Sequence, residues 1–191
     1  MENYNNCKNS IFLPNPITQV ADMPYALYLS LQGKYFVGYA DDMKFQNGNI
    51  AWAGLVNPVN SRVNLHIYVW TVTNIGESPL IAQICFNAEP SGEPVKSELV
   101  TPSNTALKPL PIPRVNLLQA NNSLNEPYDG DNVFKIKVIP EVTTASEEVG
   151  KFIFPPGGSF IISLSNLEES NQIGEGRVAF GWWEEKIQEN K

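Results

Sequence analysis

One histidine, two cysteines and four adjacent carboxylate pairs are the side chains from which this sequence could build a reactive centre. His66 lies in the run Arg62 to Asn74. There Val63, Leu65, Ile67 and Val69 alternate with Asn64, His66, Tyr68 and Trp70, which places the imidazole on the polar side of a strand. A Ser-His-Asp or Cys-His centre needs its base held by an orienting partner, and the sequence names none, so His66 is expected to be a surface or cross-strand residue. One histidine cannot form a His-rich metal centre. Cys7 and Cys85 are too few for a structural zinc site or a disulfide framework. Glycoside hydrolysis on a jelly roll uses two convergent Asp or Glu residues. The pairs here are Asp41-Asp42, Glu147-Glu148, Glu168-Glu169 and Glu184-Glu185. Neighbours on a strand point to opposite sides, so all four are expected on solvated surface. Asp129-Gly-Asp131 lacks the spaced oxygen ligands of a calcium loop and is expected to be a polar turn. No Gly-x-Gly-x-x-Gly and no P-loop occurs. These residues predict a protein that is not an enzyme, with no catalytic residues, no bound metal and no cofactor.

Aromatic residues give a different chemistry. On the strand reading Tyr68 and Trp70 share one face, and Trp182-Trp183 place one indole on each face of the last strand. Tyr68, Trp70 and Trp183 could stack sugar rings, or could bury an interface, because Tyr and Trp combine large area with a polar handle.

The elements that must position these residues are strands. Ala26 to Leu31 and Lys34 to Ala40, separated by Gln32-Gly33, read as a hairpin. Asn49 to Leu55 follows, then the alternating run of residues 62–74, and then Pro79 to Asn87, with Leu80, Ala82, Ile84 and Phe86 on one face. Val133 to Ile139 puts Phe134, Ile136 and Val138 inward and two lysines outward. Phe160 to Leu164 follows the turn Pro155-Pro-Gly-Gly158, and Val178 to Trp182 completes the series. Residues 88–94, 102–114 and 119–131 read as loops, and a short helical turn is expected at 184–190. So many short strands exceed one flat sheet. The expected fold is all-β, a two-sheet antiparallel sandwich of jelly-roll type, formed as a single domain by residues 25–191.

Residues 1–24 read as an N-terminal arm. Ile11, Phe12, Leu13, Ile17 and Val20 are apolar, but Pro14 and Pro16 exclude a central strand. The first ten residues have neither the basic start nor the apolar stretch of a secretory signal, and no apolar run reaches the roughly 18 residues of a membrane helix. Synthesis in the cytoplasm without a signal peptide and no membrane insertion are therefore expected. Only 13 Lys and Arg are scattered along the chain and the net charge is −7, which argues against nucleic acid as a partner. Charged residues make up 17% of the chain, below the usual quarter. The polar surface therefore rests on Asn, Ser, Thr and Gln, as in many sugar-binding and self-associating β proteins.

Three stretches, Asn64-Leu-His-Ile-Tyr-Val-Trp-Thr-Val-Thr-Asn74, Phe154-Pro-Pro-Gly-Gly-Ser-Phe160 and Gly181-Trp-Trp-Glu-Glu185, accompany this arm-and-sandwich plan. The plan resembles that of endospore appendage subunits, which form fibres on the surface of spore-forming bacteria, and is similar to a family of β-sandwich proteins from such bacteria. In appendage subunits a cysteine-bearing N-terminal arm reaches into neighbouring subunits and locks them covalently. This chain carries one arm cysteine, Cys7, where those subunits often carry a pair. The resemblance implies a self-assembling structural subunit of a surface fibre or spore coat, deposited on the spore or cell surface. Its partners would be copies of itself, with other surface proteins or polysaccharide as further ones. The arm, through Cys7, Ile11, Phe12, Leu13, Ile17 and Val20, would dock on a neighbour by β-augmentation. The alternative is a non-catalytic carbohydrate-binding module using Tyr68, Trp70 and Trp183.

Overall fold

Short apolar runs bounded by Pro, Gly and Asn become strands wherever their alternating faces can be buried. The computed structural model describes residues 22–167 and 172–187. It contains one helix, α1 (Tyr25–Leu31), and the strands β1 (Tyr35–Phe45), β2 (Ile50–Val56), β3 (Val63–Asn74), β4 (Leu80–Phe86), β5 (Val95–Lys96), β6 (Val100–Pro102), β7 (Asn116–Ser123), β8 (Asp131–Val138), β9 (Thr143–Phe154), β10 (Ser159–Asn166) and β11 (Gly174–Lys186).

The strands pair antiparallel in two sheets, ordered β6-β1-β11-β3-β9 and β5-β7-β2-β10-β4-β8. Without β5, β6 and β7 the orders become β1-β11-β3-β9 and β2-β10-β4-β8, so the chain alternates between layers except from β4 to β8, which pair in one sheet, as in a jelly roll. The three extra strands come from one excursion between β4 and β8, which widens both sheets on the same side. Between the layers lies the main core, with Phe36, Leu55, Leu65, Ile67, Phe160, Phe180 and Trp182 among its members. Buried amides tie the ends of the layers together. Asn57 Nδ2 donates to the carbonyls of Val63 and Phe154, and Asn74 Nδ2 to those of Ser78 and Val138.

β2 and β10 are buried on both faces, because Trp52, Cys85, Ala120 and Ile161 form a second cluster on the outer side of their sheet. There the Trp52 indole donates to the Ser91 carbonyl at 3.0 Å.

Several sequence-based expectations are corrected. Ala26 to Leu31 belongs to helix α1, not to a hairpin strand. What reads as a two-residue turn is the helix C-cap. Gly33 has φ +68°, its N–H donates to Ser30 O, and the Lys34 N–H donates to Leu29 O, which closes a Schellman motif. Residues 143–154, expected as no element, form β9. β7 takes up the start of the loop expected at 119–131, β6 reaches into the one expected at 102–114 only at Pro102, and β5 forms where no element was expected. Phe134 is about half exposed, because β8 lies at the edge of its sheet. At the C-terminal end, β11 continues as strand to Lys186 where a helical turn is expected.

Candidate functional site

β11 runs through the middle of the first sheet, and its outward side chains decide the shape of that sheet's outer face. Ala179 and Gly181 are the two smallest. In register beside them stand Tyr39 and Val37 of β1 on one side, and Thr71 and Val69 of β3 on the other. Small residues between larger neighbours leave a trough of about 540 Å³, bordered beyond β1 by Leu99, Val100 and Thr101. Glu98 is the one charged residue in its lining. Arg177, two residues before Ala179 on the same side of β11, lies outside this lining. Its Nε lies 2.7 Å from Asp41 Oδ1, and its carbon stands 6.0 Å over the Tyr39 ring. The hydrogen bond from Arg177 holds the Asp41 carboxyl below its ordinary value.

Two residues further along β11, the same face is covered. Leu29 of α1 packs on Tyr35 and Trp183, with Ala26 and Tyr68 at the margin. Beneath the helix the His66 imidazole stacks on Trp183, with ring centroids 3.6 Å apart and planes 13° apart. His66 Nδ1 lies 3.2 Å from the Gly150 carbonyl and Nε2 lies 3.2 Å from Glu185 Oε2. His66 is therefore buried, 5% exposed, and of the two expected placements it takes the cross-strand one, opposite Trp183. Burial, with Tyr68 and Glu147 nearby, pushes the Tyr35 phenol up to about 12. Gly150 has φ +80° in a bulge of β9, and a Cβ there would meet Trp183 Nε1 at 2.8 Å.

Helix α1 buries only Leu29 completely. Tyr25 and Leu31 are more than half exposed, and Met23, Leu27 and Tyr28 nearly so. The outer side of α1 and the trough are thus two apolar surfaces on the same side of the sheet, with Tyr25 edge-on to Trp183 at 5.6 Å and the Tyr35 hydroxyl beside Gly181 between them.

The aromatic residues singled out from the sequence are not brought together on an exposed face. Tyr68 is the extra residue of a β3 bulge, since Gly181 pairs with Val69 while Trp182 pairs with Ile67. The bulge reverses the alternation. Trp70, 5% exposed, points into the main core, Val69 turns outward to the trough, and Tyr68 packs edge-on against Tyr35 at 5.4 Å. Trp183 is buried beneath α1. Cys7, Ile11, Phe12, Leu13, Ile17 and Val20 lie outside the described residues.

Two carboxylates expected on solvated surface are buried instead. Glu148 receives hydrogen bonds from Trp70 Nε1 at 3.1 Å and Ser146 Oγ at 2.7 Å, and Lys151 Nζ stands 2.8 Å away. Burial pushes its carboxyl upward, but these partners outweigh it and hold the group below its ordinary value. Glu184 accepts from the backbone N–H groups of Arg114 and Val115 and from Trp182 Nε1. Here burial prevails and pushes the carboxyl up. The available signal was local, because Glu184 follows Trp182 by two and shares its inward face. Both acids brace the sandwich. Among the described residues no three His, Cys, Asp or Glu side chains converge, and no helix is long and apolar enough to cross a membrane.

Fold and face together define a jelly-roll β-sandwich that carries an open apolar sheet face. The chain belongs to a family of unknown function, DUF6143, whose profile matches residues 10–189. Comparison with curated proteins and with solved structures gave no significant match.

Proposed function

We propose that this protein is a self-assembling structural subunit of a bacterial surface fibre or spore coat, with its N-terminal segment as the connector between copies. The observation that carries this reading is the pair of exposed apolar surfaces on one side of the first sheet, the outer side of α1 and the trough over Ala179 and Gly181. Exposed apolar surface of this kind on a soluble domain marks an interaction site. A seven-residue helix, too short to be stable alone, is held in place while it displays Tyr25, Leu27, Tyr28 and Leu31 outward, with Met23 exposed just before it. The N-terminal segment joins the fold at this face, through Met23 and Tyr25. The resemblance to appendage subunits supplies the type of assembly, a fibre, and its place, the surface of the spore or cell.

Static light scattering and electron microscopy of the purified full chain test the reading. Oligomers or filaments are expected at micromolar concentration. A homogeneous monomer of 21.2 kDa at the highest soluble concentration would refute it.

A further inference from the structure

We infer that the trough over Ala179 and Gly181 is the acceptor for residues 11–20 of a neighbouring copy, seated by insertion of Ile11, Phe12, Leu13 and Ile17 into the sheet face. This names the docking place within the assembly reading and rests on it.

Four observations point to this occupant. The first is chemical. The trough lining is apolar apart from Glu98 and the threonines, and residues 11–20 contain no charged side chain. The second is size. A trough of about 540 Å³ falls in the 300–1,000 Å³ range, roughly, of cavities that hold a compact apolar ligand. It therefore takes a few large side chains and not a whole domain. The third is position. Tyr25 rests on Trp183, and Gly181 and Ala179 follow on the same face at about 7 and 13 Å along the strand. Ten residues span at most about 33 Å, well beyond the distance to Ala179. The fourth is the extent of the family, whose profile begins at residue 10 and so takes in residues 11–20 along with the sandwich.

The supplier is a neighbour because a chain's own segment in the trough would leave the outer side of α1 bare. A second copy delivers a surface as well as a segment, and covers both. The prolines favour a face as acceptor over the β-augmentation expected from the sequence. Prolines at 14 and 16 remove two N–H donors that β-augmentation would use. Side-chain insertion does not need them.

The test uses the full chain with a benzophenone-bearing phenylalanine in place of Phe12. After irradiation, crosslinked species are separated on a denaturing gel and the joined peptides are identified by mass spectrometry. A crosslinked dimer joined at Val37 to Tyr39, Val69 to Thr71 or Ala179 to Gly181 is the expected result. A dimer joined elsewhere overturns the trough as acceptor while leaving assembly intact. A crosslink into the trough within one chain overturns the neighbour as supplier, and a monomer with no crosslink removes the assembly reading as well. A second variant guards against a misplaced probe. Val37→Glu charges an exposed wall of the trough, and with its circular dichroism unchanged it should shift the scattering mass to that of the monomer. Normal assembly by Val37→Glu overturns the inference.

Discussion

Trp70 offers the sharpest check on the packing described above, because its position depends on a single bulge. If Tyr68 is the extra residue in β3, the Trp70 indole lies in the main core and its N–H reaches Glu148 at 3.1 Å. Trp70→Ala then removes a buried aromatic and should cost about 3–5 kcal/mol. Trp70→Phe keeps a ring in place and removes the donor. A hydrogen bond to a charged group is worth about 1.5–3 kcal/mol. Glu148 keeps Ser146 and Lys151, so the lower end, about 1.5–2 kcal/mol, is expected. Urea unfolding followed by far-ultraviolet circular dichroism reads both variants. With a denaturant slope of about 2 kcal/mol per molar, Trp70→Phe should lower the midpoint by nearly 1 M. Paired with Glu148→Gln in a double-mutant cycle, it should show a coupling of about 1 kcal/mol. The pH dependence supplies a sign. A carboxyl held below its ordinary 4.5 in the fold stabilises above that value, and the contribution is lost as pH falls through the folded-state value. The penalty of Trp70→Phe should therefore shrink toward acid. A Trp70→Ala cost under about 0.5 kcal/mol would put the indole on the surface and refute the bulge.

Other outcomes follow from neighbouring groups. His66→Gln should cost about 1–2 kcal/mol in thermal or urea unfolding, because it breaks a buried stack and two polar contacts, whereas an exposed histidine would fall within about 0.5 kcal/mol. Glu184 has the opposite acid behaviour to Glu148. Its carboxyl is raised, so it adds stability as pH falls through the raised value toward 4.5, and a Glu184→Gln variant should lose that acid-side gain in a pH series of melts. Gly150→Ala should destabilise by about 1–3 kcal/mol, since it combines a left-handed backbone with a clash on Trp183, and an unchanged melting temperature would refute the contact. In a Cys7→Ser background, Cys85 should react with a thiol reagent only at the rate of unfolding. The thiol is buried, donates to Asn132 Oδ1, and is pushed up to about 11 by burial and the nearby Glu126.

Much of the fold is legible in the residues. The alternating runs at 63–67, 80–86, 160–164 and 178–182 declare buried strand faces, and the turn at Pro155 to Gly158 falls where its residues demand it, closed by the Gly158 N–H on Pro155 O. What is hidden has physical reasons. Tyr-Ala-Leu-Tyr-Leu-Ser-Leu is too short and too uniformly apolar to reveal a period, and Gly33 serves a helix cap as readily as a hairpin. β9 carries Glu147, Glu148 and Lys151 because it is an edge strand with a bulge, so its alternation is masked. The bulge at Tyr68 leaves no compositional mark, yet it reverses the parity of every side chain after it. That one inserted residue separates the expected aromatic face from the trough now visible between Val37 and Val69.

The order of strands also has a consequence for synthesis. β1 ends at Phe45 and β3 at Asn74, but the strand that belongs between them, β11, begins only at Gly174. While the ribosome makes the intervening residues, the facing edges of β1 and β3 have no partner, and Phe36, Leu65 and Ile67 lack the neighbours that later bury them. Non-local closure of this kind is slow and exposes apolar edges to other chains. Late pairing of β11 is therefore the step until which these edges stay open to other chains.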